Sequence, residues 1–150
     1  MSSAAASQPV IERVVQKLGG RRALGKTVAS EADLARVVDR GMRLGVLDHV
    51  RKAGFSRAEI ERLIIPARTL RHREARHESL STEESDRLVR LTRIQAMAED
   101  VFGDVENANI WLRQPLGILD GKSPLDVART DAGARLIEQF LGKLDWGAAA

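Results

Sequence analysis

The sequence contains no cysteine, and aromatic residues make up only 3% of it. Without cysteine there is no disulfide framework, no thiolate metal site and no cysteine nucleophile. The absence also fits a reducing compartment, so a cytoplasmic location is expected. With so few rings, the core must be built from Leu, Ile, Val and Ala. No apolar run approaches the roughly 20 residues that a membrane-spanning helix needs, and no membrane partner is expected. Residues 1–7, MSSAAAS, carry no charged segment ahead of an apolar one, so no signal peptide is expected.

What is present is enough for folding. The chain has 150 residues, 43% of them hydrophobic, which favours one or two small domains with a true core over disorder. The net charge is only +3, but it is unevenly placed. Residues 1–93 carry 19 Lys/Arg against 12 Asp/Glu, whereas residues 94–150 carry 5 against 9. A basic front and an acidic back suggest partners of different character.

Nearly every segment has helical period. PVIERVVQKLGG places Val10, Ile11, Val14, Val15 and Leu18 at helical spacing, then stops at a glycine pair. Ser30 caps EADLARVVDRGMRLG, and GVLDHVRKAG is a short helix between glycines. Ser56 caps RAEIERLI, Pro66 ends it, and ARTLRHREAR follows. Ser81 and Glu84 form a capping box that starts the longest predicted helix, which ends at Gly103. A shorter helix carries Val105, Ile110, Trp111 and Leu112; Ser123-Pro124 starts another, and Asp131 opens the last. That last helix is expected to break after Leu144 into Asp145-Trp146-Gly147. No segment alternates like a strand. The expected fold is all-α.

The stretch GRRALGKT, residues 20–27, spells G-x-x-x-x-G-K-T, the pattern of a phosphate-binding loop. Such a loop needs a buried strand before it and a helix after it. Here the preceding segment has helix period, with Glu12, Arg13 and Lys17 interleaved, and no later apolar run ends in an Asp for magnesium. A glycine-stopped helix followed by a basic loop is expected, not a nucleotide hydrolase.

The informative stretch runs from Leu47 to Leu91. A helix capped at Ser56, the turn Ile65-Pro66-Ala67 and a second helix at about Ala67 to Arg76 have the layout of a helix-turn-helix. In the second helix Leu70 is the inward anchor. Arg68, Thr69, His72 and Arg76 project away from it, with Arg73 on the flank. Arginine can take guanine O6 and N7 together, a threonine methyl can pack on a thymine methyl, and further cations can hold phosphates. These five are the candidate DNA-binding residues.

IPARTLRHR followed by LSTEESDRLVRL resembles Xre-type antitoxins of the Xre/MbcA/ParS group. The back half is similar to their toxin-binding domain. Its marks are Trp111-Leu112 followed by Pro115, Gly121-x-x-Pro124-Leu125-Asp126, Thr130-x-x-Gly133, and Gly147. The resemblance runs from about Gly41 to Gly147 and is looser over residues 8–40. Ile118 departs from the small or polar residues frequent there, and the tail ends in three alanines. It implies an N-terminal helical segment over residues 1–40, a helix-turn-helix domain over 41–93 and a small helical toxin-binding domain over 94–150. It further implies a homodimer that represses its own operon by binding operator DNA. The other side would bind a cognate RES-domain toxin, an enzyme that degrades NAD+ in relatives, and close its active site with the C-terminal end. The chain itself would be no enzyme and would need no cofactor or metal. Candidate toxin-binding residues are Asp145, Trp146 and Gly147, with Arg113 and Lys143 at the rim. A regulator whose back half only dimerises is the alternative.

Other constellations are weaker. His72 and His77 do not share a helix face, which argues against a metal site. Glu99-Asp100 reads as a solvated acidic pair, since adjacent residues diverge on a helix. Trp111 reads as core. For Trp146 the residues leave two readings, a buried C-terminal staple or an exposed partner anchor.

Overall fold

The computed structural model describes residues 8–149, with side chains through Asp145. Every regular element among the described residues is helical. The helices are α1 (Val10–Lys17), α2 (Gly20–Leu24), α3 (Glu31–Arg40), α4 (Val46–Lys52), α5 (Arg57–Leu63), α6 (Ala67–Arg76), α7 (Thr82–Phe102), α8 (Val105–Arg113), α9 (Pro124–Val127) and α10 (Asp131–Ala149). A 3-10 turn, Gly117–Leu119, lies between α8 and α9.

The starts of these helices follow from their caps. Ser56 with Glu59, and Ser81 with Glu84, each form a complete capping box, so two orphan donors per helix are satisfied reciprocally. Ser30, Asp104 and Ser123 accept backbone N–H bonds at the starts of α3, α8 and α9. Two glycines are required by close approach. Gly41 ends α3 with φ +88, and a Cβ there would lie 2.3 Å from the Leu80 carbonyl oxygen. At Gly133 a Cβ would lie 1.8 Å from the Val127 carbonyl oxygen. Any side chain at either position would push backbone apart. This explains why the Thr130-x-x-Gly133 turn carries no side chain where α10 leaves α9.

Helix α7 is the central column. Leu88, Leu91, Ile94, Ala96 and Ala98 are fully buried in it, and α1, α3, α8 and α10 pack around it. The buried apolar residues form one cluster from Val14 to Leu141. The expected domain limit between Arg93 and Ile94 therefore falls inside an unbroken helix. The N-terminal segment packs into the same core, where Val14 and Leu18 have no exposed surface.

Several buried polar groups on α7 meet specific partners, although Gln95 Oε1 has none among the described residues. Ser85 Oγ accepts the Met42 N–H at 2.9 Å, and Gln95 Nε2 donates to the Ala53 carbonyl at 2.9 Å. Glu99 corrects the expectation of a solvated pair. Its side chain is 3% exposed and lies 2.8 Å from Arg13 Nη2 and 2.8 Å from Lys17 Nζ. Two cations spaced four apart on α1 converge on one carboxylate, and this fastens the N-terminal helix to the column.

Two further expectations are corrected. GRRALGKT is not a plain loop: Gly20–Leu24 forms α2 and only the residues after it turn. The segment before Gly20 is a helix, unlike the strand a phosphate loop needs. And α10 does not break after Leu144 but continues to Ala149. An interior glycine costs a helix about 1 kcal/mol, which the flanking alanines, the best helix formers, help offset.

Candidate functional site

The brace helix α5, the turn at Ile64–Pro66 and α6 form the expected helix-turn-helix. Ile60, Leu63, Ile64 and Ile65 are buried beneath the turn, and Leu70 is the one buried residue of α6. Arg87 of α7 donates to the Ile64 carbonyl at 3.0 Å and so holds the end of the brace. On the outer face of α6, Arg68, His72 and Arg76 are exposed and Thr69 is half-buried. Arg71, absent from the sequence expectation, is also exposed. The available signal was its position three residues after Arg68, which puts both on neighbouring turns.

Arg73 behaves differently from its neighbours. Its Nε and Nη2 each lie 3.2 Å from an oxygen of Glu84, and Nη1 lies 3.7 Å from Glu78. Glu84 also accepts the Ser81 backbone N–H at 2.7 Å. One carboxylate thus caps α7 and grips α6. Arg73 is engaged in setting the angle of the helix, where the sequence suggested a cation free to hold phosphate.

Arg113 is placed likewise. Its Nε lies 2.7 Å from Glu59 Oε2, and its Nη2 donates to Glu59 Oε1 and the Gly54 carbonyl, both at 3.0 Å. The guanidinium sits 5.8 Å from the Phe55 ring centre. It therefore welds α8 to the capping box of the brace helix. Lys143 and Asp145 are exposed near the end of α10, on different sides of the helix. The side chain of Trp146 lies outside what the structure describes, and of Trp146 and Gly147 only the helical backbone is described. Farther back, α10 shows a partly exposed apolar stripe. Leu136 and Leu144 are 38% and 43% exposed, with half-buried Phe140 between them, while Ile137 and Leu141 are fully buried.

Comparison with known proteins is consistent along the chain. Residues 33–93 match the family described as the antitoxin Xre-like helix-turn-helix domain, and residues 97–147 match the antitoxin Xre/MbcA/ParS C-terminal toxin-binding domain. Antitoxin Xre of Yersinia enterocolitica is 30% identical over 129 residues, covering 84% of this chain and 87% of the relative. The chain belongs to the Xre antitoxin family. Antitoxin Xre of Pseudomonas putida is 42% identical over 78 residues, a match that spans 52% of this chain and about half, 49%, of the relative. The Prs ADP-ribosylating antitoxin of a Sphingobium species is 28% identical, covering 88% of this chain and 96% of its own. As a member of an antitoxin family, the chain is a non-enzymatic protein with a helix-turn-helix domain and a C-terminal toxin-binding domain. No helix among the described residues is long and apolar enough to cross a membrane.

The two arginine pairs give the antitoxin an acid limit. Burial pushes the Glu59 carboxyl up, but hydrogen bonds from Arg113 and the Ser56 backbone, with the guanidinium charge, outweigh it and hold it below the ordinary range. Glu84 is held down the same way, burial opposed by Arg73 and the Ser81 backbone. A carboxylate whose folded pKa is depressed stabilises the fold above its unfolded value, about 4.3 for Glu, and loses that contribution as pH falls through the folded value. The urea midpoint is expected to stay level from neutral pH to about 5 and to drop below about 4.3. A Glu59→Gln/Glu84→Gln variant should begin less stable and show a shallower drop. An acid slope equal to that of the unmodified chain would assign the limit to other carboxylates.

Proposed function

We propose that the chain represses its own operon through α6 and neutralises a RES-domain toxin, of the kind that consumes NAD+, through the end of α10. The observation that carries the first half is the outward face of α6. Arg68, Arg71, His72 and Arg76 stand exposed opposite buried Leu70, on a helix whose angle is fixed by Arg73 and Glu84. Among the residues of this face, Arg68 and Thr69 lie in the first turn, the part of a recognition helix that reaches base edges. Two copies related by a two-fold axis would read half-sites one helical turn apart, so a homodimer is the binding form. Operator binding would place the protein in the cytoplasm.

The second half rests on α10, whose Leu136–Phe140–Leu144 stripe leads toward an exposed end carrying Lys143 and Asp145. An apolar stripe ending in charge suits a partner with an apolar lip around a charged cavity.

Gel-shift titration with the region upstream of the reading frame tests the DNA assignment. Arg68→Ala and Thr69→Ala should each weaken operator binding by about 1–3 kcal/mol. Arg76→Ala should weaken all sequences alike and lower the salt slope by about one. A folded triple variant with unchanged affinity would refute the assignment of α6. Co-purification with the product of the adjacent gene tests the toxin assignment.

A further inference from the structure

Residues 8–32 lie outside both matched families, yet they are fastened into the fold. Their composition is one-sided. From Arg13 to Ser30 there are five Lys/Arg and no Asp or Glu. Arg13 and Lys17 are taken up by Glu99. The other three, Arg21, Arg22 and Lys26, make no ion pair among the described residues, and Arg21 and Arg22 are exposed. Elsewhere on the front half the pattern differs: Arg36 pairs with Asp33, Arg57 with Glu61 and Arg93 with Glu31. The positive charge around α2 is therefore left uncompensated among the described residues, as it is for Arg68, Arg71 and Arg76 of α6.

This patch adjoins the DNA-reading helix. The guanidinium of Arg43, also exposed and unpaired among the described residues, lies against Gly25; a Cβ there would be 2.7 Å from its Nη2. The next two residues, Leu44 and Gly45, line a groove shared with Leu70 and Glu74 of α6. Arg43 thus stands between the turn after α2 and the residues that line the flank of α6, a groove that also carries Arg51 and Arg57 beside Asp48 and Glu74.

We propose that α2 and its following turn, through Arg21, Arg22, Lys26 and Arg43, hold the phosphate backbone of duplex DNA beside the groove that α6 enters. Long cationic side chains without local partners suit this, since backbone contacts need charge and reach, not sequence-specific geometry. The inference rests on the DNA-binding reading of α6. It also gives GRRALGKT a phosphate-contacting role on a duplex in place of the nucleotide role its spelling suggests. The glycines at its ends start and stop α2, and the short helix displays two adjacent arginines.

The test uses the full chain, with both an operator fragment and a random-sequence duplex of equal length, across a salt series. Arg21→Gln/Arg22→Gln/Lys26→Gln should lower the slope of log affinity against log salt by about 0.9 per lost contact, between two and three in all, on both duplexes. Arg21→Lys/Arg22→Lys should keep the original slope. Preference for operator over random duplex should survive the triple substitution and be lost in Arg68→Ala/Thr69→Ala. Unchanged slopes in a triple variant that melts normally would overturn the inference while leaving the α6 reading intact. If the triple variant shows the expected slope change on random duplex but the original chain shows no operator preference, the inference stands and the operator reading fails. If it binds no duplex at low salt, both fall.

Discussion

A chain ending at Leu144 is expected to melt as the full chain does and to bind DNA unchanged, yet to fail to protect cells from the toxin. The buried anchors of α10 are Ala134, Ile137 and Leu141, and all lie before the cut. Leu144 is already 43% exposed and Asp145 is exposed. Removing the residues beyond Leu144 takes away no described core contact, while the helix-turn-helix lies far upstream. A site that holds NAD+ must offer cations for its phosphates and flat surfaces for its rings. Asp145 can meet the first, and a tryptophan is the favoured anchor for the second. Loss of one such anchor costs about 2 kcal/mol or more, which is thirty-fold or more in affinity. Growth rescue in cells expressing the toxin, with melting followed by circular dichroism, gives the answer. Full rescue by the truncated chain would move neutralisation elsewhere, with the Leu136–Phe140–Leu144 stripe the next surface to alter.

Substitution of Glu99 by alanine should cause the largest loss of stability from any single charge. Its carboxylate is 3% exposed and is the shared partner of Arg13 and Lys17, themselves only 20% and 14% exposed. Removing it leaves two half-buried cations facing each other across the gap. Breaking a buried pair by deleting one partner costs about 3–5 kcal/mol. Here both cations can turn partly to water, so a loss of about 3 kcal/mol is expected, or roughly 6–12 °C in melting temperature. The triple replacement Glu99→Leu/Arg13→Leu/Lys17→Met should recover much of it, because an apolar trio leaves no charge stranded. A melting temperature within 2 °C of the original in Glu99→Ala would show that α1 is held by Val14 and Leu18 alone.

The helices were legible in the sequence because their starts are written locally. Ser30, Ser56, Ser81, Ser123 and Asp131 all stand at or next to the observed starts. The family motifs were legible for the same reason, being short and contiguous. What sequence reading misplaced were charges whose partners lie far along the chain. Arg113 finds Glu59 across 54 residues and Glu99 finds Arg13 across 86, so nothing in their neighbourhoods marks them as internal. Arg73 and Glu84 are only 11 apart, but His77 reverses the chain between them with φ 55, a left-handed step that histidine spelling does not announce. The continuation of α10 was missed because Gly147 was read as a stop, though the helix carries on through the alanines after it.

The column α7 is long as well as central. It spans 21 residues, which at 1.5 Å per residue is about 31 Å of unbroken helix. The reading helix is clamped to its first turn by Arg73, and α8 packs at its far end, where Phe102 and Trp111 lie 5.5 Å apart. No hinge interrupts it. α7 is accordingly a continuous strut, and with α6 in a DNA groove as proposed, a partner gripped at α8 would ride at a set distance and bearing from the double helix. Inserting half a helical turn of DNA between two binding sites would swing one such cargo to the opposite side of the duplex, while a full turn would return it to the same side, farther along.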